Sequence, residues 1–456
     1  MSAADSRALL WLRRDLRLAD HPALLAAADG GARVLPVFVL DEQLWVRAGE
    51  PRRALLAGAL ADLHARTDGA LRVLSGDPRT VVPAAARAAG AGRVHVSGEF
   101  TPYGRGRDEE VAGRLAAQGV EWVVSGSPYA VSPGRVVKQD GTPYRVFTPY
   151  AKAWRQHGWR APAARPRRVD WAAYDGPHVA PMPDMPAAAG LPTPTEAAAW
   201  RTWRRFRDEH LADYARDRDA PGTDATSRLS PYLHLGLIHP RSLLADVAGR
   251  RGAGVHAWRT ELCWREFYAD VLFHRPESAW GNLQPRFDRL AWDDGPDARR
   301  RLGRWQRGET GFPIVDAGMR QLAAEGWMHN RVRMITASFL VKDLHLPWQW
   351  GARFFLEHLV DGDLASNNHG WQWVAGTGTD ASPFVRVFSP LRQAERFDPD
   401  GEYVRRWVPE LRGLPGKAAL EPWNHDAPEY VQRMVDHAEE RAEALRRYEA
   451  VAGDDG

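Results

Sequence analysis

The sequence of 456 residues predicts a doubly wound parallel α/β domain, then a long connector, then an all-α domain. Three observations carry this expectation. Short apolar runs of strand length alternate with helix-patterned stretches up to about residue 130. Prolines crowd residues 161–194, and helical periodicity then runs from Glu196 nearly to the end.

The predicted strands are Ala8–Leu12, Val34–Leu40, Leu71–Leu74, Arg93–Val96 and Glu121–Val124. Arg52–Arg66 and Arg79–Ala89 between them have helical spacing, and this alternation is the pattern of βαβ units in a parallel sheet. No Gly-x-Gly-x-x-Gly follows the first strand. Arg13-Arg-Asp-Leu-Arg17 stands there instead, which argues against a nicotinamide dinucleotide site. In the connector, Pro162, Pro166, Pro177, Pro181, Pro183, Pro186, Pro192 and Pro194 block regular structure. Beyond it, helices are predicted over Ala197–Arg216, Pro240–Gly249, Val255–His274, Ala298–Arg307, Ile314–Glu325, Asn330–Lys342, Trp348–Leu359 and Tyr430–Ala450. The expected domains are residues 1–130, a connector of 131–195, and residues 196–456.

Apolar residues at 44% and charged residues at 26% suit a soluble globular protein and leave no room for a membrane span. The apolar run Leu9–Leu12 is far too short for a signal peptide, so export is not expected. The lone Cys263 cannot close an intrachain disulfide, which points to a reducing, cytoplasmic setting. A net charge of +3 makes only a weak case for nucleic acid, so the arrangement of charges must decide. Twenty Trp residues stand out, because an indole serves either packing or π chemistry.

Four segments could carry chemistry. In Gly222–Gly236, the hydroxyls and backbone N–H groups of Thr226-Ser-Arg-Leu-Ser230 open an apolar helix; they could cap it or hold a phosphate at its positive end. Glu261, Trp264, Arg265 and Tyr268 fall on one helical face, either as an amphipathic helix with an internal Glu–Arg pair or as a pocket floor for a planar ligand. Asn330, Arg333 and Met334 likewise share a face, with Arg331 off it. In Asp361–Trp373, polar residues that suit a helix interior poorly sit in an aromatic neighbourhood, so a polar ligand is expected. A calcium loop would need Gly at its sixth and Glu at its twelfth position; both are lacking, and no metal is expected.

These segments, with Tyr214, Gly311–Arg320, Gly326–Leu340 and Asp361–Pro390, resemble the photolyase/cryptochrome family, specifically class I photolyases. The resemblance runs from the first strand to about residue 450. It implies an α/β antenna domain, a helical domain holding FAD, and repair of UV-damaged DNA by light-driven splitting of cyclobutane pyrimidine dimers. Carried over residue by residue, Tyr214, Thr226, Ser227, Arg228, Leu229 and Ser230 would hold the FAD phosphates, with Trp258 and Arg265 bordering the pocket. Arg333 would pair with Asp361 beneath the flavin, while Gly362, Asp363 and Asn330 would line its polar edge or the adenine side. Asn367 would face flavin N5, where a neutral amide suits a fully reduced, anionic flavin. Trp371, Trp348 and Trp292 resemble the three-tryptophan chain that re-reduces the flavin under light, although Asp293–Asp297 lengthens the loop after Trp292.

For the substrate, the resemblance implies that Glu261 bonds the flipped-out dimer, Trp264 and Trp373 stack on it, and Met334 touches it. Arg218, Arg331 and Arg386 would clamp DNA phosphates. Glu99–Arg107 resembles the deazaflavin-antenna type, since Gly104 replaces the acid expected for a folate; Arg53, Glu99 and Tyr103 are the candidate antenna contacts. His234 stands where a Lys is sometimes found in that site. A (6-4) photolyase would need His where Asn330 and Met334 stand, and a signalling cryptochrome commonly has Asp or Cys in place of Asn367. The protein is expected to act as a monomer without an obligate protein partner or a membrane.

Overall fold

The computed structural model describes residues 7–185, 190–379 and 385–452. Pro186 of the connector and the segment 380–384 of the family-like stretch lie outside these described residues. The chain divides into two compact units, one of Met1–Tyr144, Thr148–Glu209 and Ser227–Pro276, the other of Arg145–Phe147, His210–Thr226 and Glu277–Gly456.

The first unit contains the expected sheet. Strands β1 (Arg7–Leu12), β2 (Arg33–Leu40), β3 (Arg72–Ser75), β4 (Ala91–Val96) and β5 (Glu121–Val124) lie within two residues of their predicted places. All pair in parallel in the order β3-β2-β1-β4-β5. Strand β1 is buried along nearly its whole length, as a sheet covered on both faces requires. Its Leu9 and Trp11 pack with Val37, Val94 and Val96 and with Val81 and Ala85 of the helix Pro78–Ala89. Crossover helices Glu50–Arg66, Pro78–Ala89 and Pro102–Ala116 connect the strands.

Two buried histidines brace this unit as helix N-caps. His21 Nδ1 accepts from Leu24 N–H at 3.1 Å, and its Nε2 faces Asp15 at 3.4 Å. His239 Nδ1 accepts from Arg241 N–H at 3.2 Å, while its Nε2 bonds the Ser127 carbonyl at 2.8 Å. The 22-residue helix Ala253–His274 is anchored by buried carboxylates: Glu266 accepts from Trp154 Nε1 at 2.6 Å and Val131 N at 3.0 Å, and Asp270 from Gly134 N at 2.7 Å. Burial pushes both carboxyl groups above their usual range despite these bonds.

The short helix Ser230–Leu235 ends at Gly236, whose φ is 70°. A Cβ there would overlap the Arg14 carbonyl, so both the conformation and the space demand glycine. Gly236→Ala should therefore cost about 2–4 kcal/mol, strain and overlap together, read as a lowered midpoint in urea unfolding.

The second unit is helical, and three of the predicted helices break, start late or change form where the pattern did not show it. The predicted helix Ala197–Arg216 is two helices, Glu196–Glu209 in the first unit and Tyr214–Asp217 in the second, parted by a turn; continuous polar-apolar patterning did not reveal the break. The last helix begins at His437 rather than Tyr430, because Tyr430 is spent elsewhere. Its hydroxyl donates to Asp316 at 2.6 Å, and the same buried carboxylate accepts from Thr310 N, Thr310 Oγ1 and Gly311 N at 2.6–3.0 Å. The predicted helix Asn330–Lys342 runs as an α-helix to Ser338 and then widens into a π-turn, Phe339–Asp343. No helix among the described residues is long and apolar enough to cross a membrane.

Candidate functional site

In the second unit, the motif opened by Asp361 folds as a turn followed by the helix Leu364–Ala375. Asp363 is its N-cap, accepting from Ser366 N–H at 2.9 Å, which explains an acid at that place. Arg333 pairs with Asp361 at 2.9 Å, and its Nε donates to the Met328 carbonyl at 2.8 Å. The guanidinium is thus held on two sides and the carboxylate is almost fully buried. Asn330 sits on the same helical face as Met334, with Nδ2 3.9 Å from the Met334 sulfur.

Asn367 uses both hydrogens of its amide inside the protein, donating to the Ala352 carbonyl at 3.0 Å and Asn368 Oδ1 at 2.8 Å. Its side-chain oxygen is left as an acceptor. The other polar residues of the motif have structural work instead, which corrects the expectation that their burial calls for a ligand. Gln372 accepts from Leu283 N–H at 2.7 Å and donates to the Ser278 carbonyl at 2.8 Å; Asn368 donates to the Ala279 carbonyl; His369 bonds Ser278 Oγ at 2.9 Å and the Ala365 carbonyl. They satisfy the backbone of the loop at 278–283, which would otherwise be buried without partners.

Trp371 and Trp373 diverge as their spacing predicts. Trp371 is buried edge-on to Phe355 at 5.0 Å and to Trp305 at 6.1 Å between ring centroids. Trp373 is half-buried with the Arg386 guanidinium 4.8 Å above its ring. Gly351, one turn after Trp348, touches the Trp371 ring so closely that any Cβ would overlap it. Trp348 is fully buried and donates its indole N–H to Asn282 Oδ1 at 2.9 Å. Trp292 is half-buried, packed on the main helical core and on a small cluster with Tyr448 and Val451. Arg331 pairs with Asp219 at 3.0 Å and lies over Phe397, so its charge is already engaged; Arg218 lies over the Tyr214 ring.

In the first unit, Ser227–Ser230 leads into the helix that Gly236 ends, and Arg228 holds a φ of 47°, unusual for a branched-chain-free residue outside glycine. Trp258, Glu261, Trp264 and Arg265 lie on the helix Ala253–His274. Trp258 is buried against Trp203 at 4.5 Å. Arg265 is fixed over the Tyr129 ring and donates to the Pro128 and Leu233 carbonyls at 3.0 and 3.4 Å. Trp264 packs against Phe267 and Tyr268.

Glu99 and Tyr103 follow the carboxyl end of β4, the side on which doubly wound sheets bind ligands. Tyr103 donates to Asp41 at 2.7 Å, and burial with that bond pushes its phenol up to about 12. Desolvation opposes the Glu99 charge, yet Arg14, Arg13 and Arg107 hold its carboxyl below the usual range. Gly104 has a local reason: a Cβ there would overlap the Glu99 side chain. Arg53 lies over Trp45 at 5.8 Å. The guanidinia of Arg13 and Arg107 each lie 4.8 Å from the Trp11 ring. Sequence reasoning missed Asp41, Trp11, Gly351 and the Asn282 acceptor; only position after a strand marked Asp41, and nothing local marked the rest.

The chain combines a parallel doubly wound sheet lacking a dinucleotide fingerprint with a helical unit that holds a buried Arg333–Asp361 pair. The family described as DNA photolyase matches residues 8–167, and the FAD binding domain of DNA photolyase matches residues 258–450. The deoxyribodipyrimidine photo-lyase of Streptomyces griseus is 41% identical, covering 98% of this chain and 99% of that protein. That of Escherichia coli K12 is 37% identical over 97% of this chain and 98% of its own length. A class III photolyase structure from Agrobacterium tumefaciens superposes with a TM-score of 0.91 at 36% identity, covering 98% of each chain. The Synechocystis cryptochrome gives a TM-score of 0.89 at 26% identity, covering 98% of this chain and all of that one. The chain belongs to the photolyase/cryptochrome family.

Proposed function

We propose that this protein repairs UV-damaged DNA by splitting cyclobutane pyrimidine dimers in light, as a class I deoxyribodipyrimidine photo-lyase. The observation that carries the reading is Asn367: with both N–H groups spent internally, it offers an oxygen to an N–H donor, as reduced flavin does at N5. A carboxylate there would bring a charge; the amide does not. FAD fits the donor set, with Tyr214, Thr226, Ser227, Arg228, Leu229 and Ser230 toward its phosphates. Trp258, Arg265, Asn330, Arg333, Asp361, Gly362, Asp363 and Asn367 would surround the rest. Bound and reduced, FAD supplies the electron that opens the cyclobutane ring and takes it back.

The residues of the chain do the orienting. Glu261 bonds the dimer, Trp264 and Trp373 stack on it and Met334 contacts it. A crosslinked dimer stacks badly, so flipping it out costs less than flipping a normal base. Arg218, Arg331 and Arg386 take DNA phosphates, and Arg386 leaves the face of Trp373 as the dimer arrives. Binding should weaken as salt rises. Trp371, Trp348 and Trp292 recharge the flavin. Arg53, Glu99 and Tyr103 hold an antenna, which we assign as a deazaflavin over a folate because Gly104 leaves Glu99 its place. The fold does not separate class I from class III, so the class rests on the motifs. We also propose a cytoplasmic monomer.

Dimer-containing DNA should be repaired under blue light and not in the dark; binding in the dark without repair in light would instead mark a cryptochrome. Glu261→Ala should keep its flavin but repair more slowly. A hydrogen bond to a charged species is worth about 1.5–3 kcal/mol, roughly ten- to a hundredfold in rate. Loss of flavin from that variant would remove Glu261 from the substrate side.

A further inference from the structure

Trp292 sits in a loop between the 3-10 turn Pro285–Arg289 and the helix Pro296–Arg307, where no regular structure holds it. Its two neighbours are nonetheless pinned. Arg447, on the last helix His437–Ala452, donates through Nη1 to the Ala291 carbonyl at 3.1 Å and to Asp293 Oδ1 at 2.8 Å, bracketing Trp292. Asp293 Oδ2 meets Arg301 at 2.6 Å, and Asp293 N–H donates to the His345 carbonyl at 2.9 Å. His345 stands three residues before Trp348 and bonds Glu440 of the same last helix at 2.7 Å. One helix therefore ties down both Trp292 and the approach to Trp348.

We propose that Arg447 and Asp293 are positioning residues that hold Trp292 at the separation from Trp348 needed for light-driven flavin reduction. This rests on the reading of Trp371, Trp348 and Trp292 as the reducing chain. In that chain Trp371 gives an electron toward the flavin and is refilled from Trp348, and Trp348 from Trp292. A thiol in solution refills Trp292. Over two such passages two thiols become one disulfide and release two electrons and two protons; one proton goes with the electrons to the flavin and one to solvent. No other bond changes. Glu443 sits 2.6 Å from Arg447 Nε and also pairs with the exposed Arg446, so Asp293 and Glu443 link Arg301, Arg447 and Arg446 into one network. The bonds of Arg447 to the Ala291 carbonyl and to Asp293 on either side of Trp292 let it act by fixing geometry. Electron passage between rings falls steeply with separation, and misplacement of reacting groups by an ångström can cost on the order of a hundredfold.

The test compares Arg447→Ala, Asp293→Asn and Arg447→Lys with Trp292→Phe. Hydrogen exchange followed by mass spectrometry should show the Asp293 amide exchanging faster in Arg447→Ala. Blue-light reduction of the flavin with a thiol donor should fall at least about tenfold in Arg447→Ala and Asp293→Asn, with partial recovery in Arg447→Lys. Repair after chemical reduction should match the parent. If Arg447→Ala does not fold, Asp293→Asn decides. Normal photoreduction in these variants while Trp292→Phe is blocked overturns the positioning role alone. Normal photoreduction in Trp292→Phe overturns the three-tryptophan reading, and the positioning role with it.

Discussion

Acidification from pH 6.5 to pH 4 should destabilise this protein through its buried histidines. Burial holds His21, His239 and His369 neutral, each lowered from 6.5 to about 4. In the unfolded chain the same histidines titrate near the ordinary value, so in this window the unfolded state binds more protons and stability falls as pH falls. Each histidine contributes about 3 kcal/mol to the loss, which is complete near pH 4. His21 and His239 belong to the first unit and His369 to the second, and the raised carboxyl groups of Glu266 and Asp270 offset part of the loss in the first. The mechanism is visible at the caps: protonating Nδ1 of His21 or His239 turns an acceptor for a helix N–H into a donor facing it. Urea unfolding at pH 7, 5.5 and 4.5, followed by circular dichroism, should show the midpoint dropping steeply. His21→Asn keeps a capping oxygen that does not titrate and should flatten the slope; an unchanged slope would falsify the assignment to His21.

The second large effect concerns Trp371. Trp371→Phe should lower photoreduction of oxidised flavin by about a hundredfold or more, equivalent to roughly 3 kcal/mol on the barrier. Flavin content should be unchanged, and chemically reduced protein should still repair DNA. Gly351→Ala gives an independent handle, because its Cβ would overlap the Trp371 ring and force it to move. Such overpacking costs about 1–3 kcal/mol of stability, and photoreduction should slow with the displaced ring. Flash spectroscopy of the tryptophan radical separates the two variants from simple flavin loss. Unchanged photoreduction in Trp371→Phe would take this residue off the electron path.

Local pattern made much of this molecule legible. Five strands could be placed to within two residues because each is a short apolar run bounded by turns, and the parallel order follows from the crossover helices. The split between Trp371 and Trp373 needed only helical geometry. Other features were not local. The turn that parts Glu209 from Tyr214 has no proline or glycine to announce it. The Tyr430–Asp316 bond, which keeps the last helix from starting early, joins residues 114 apart in sequence. Asn368 read as one of the polar residues calling for a ligand because burial of a polar side chain can be guessed from its neighbours, whereas its partner, the Ala279 carbonyl, cannot.

By itself, then, the sequence determined the sheet, the helical half and the family, since hydrophobic period, turn residues and motif spacing are all written along the chain. Tertiary structure alone decided which polar atom of the Asp361–Trp373 motif remains available. It assigned Asn368 and Gln372 to a loop backbone and bound both amide hydrogens of Asn367, which leaves its oxygen as the acceptor. The physical reason is satisfaction of hydrogen bonds: which donors and acceptors are spent depends on backbone brought in from far away in sequence, and what is left over is what a cofactor can use.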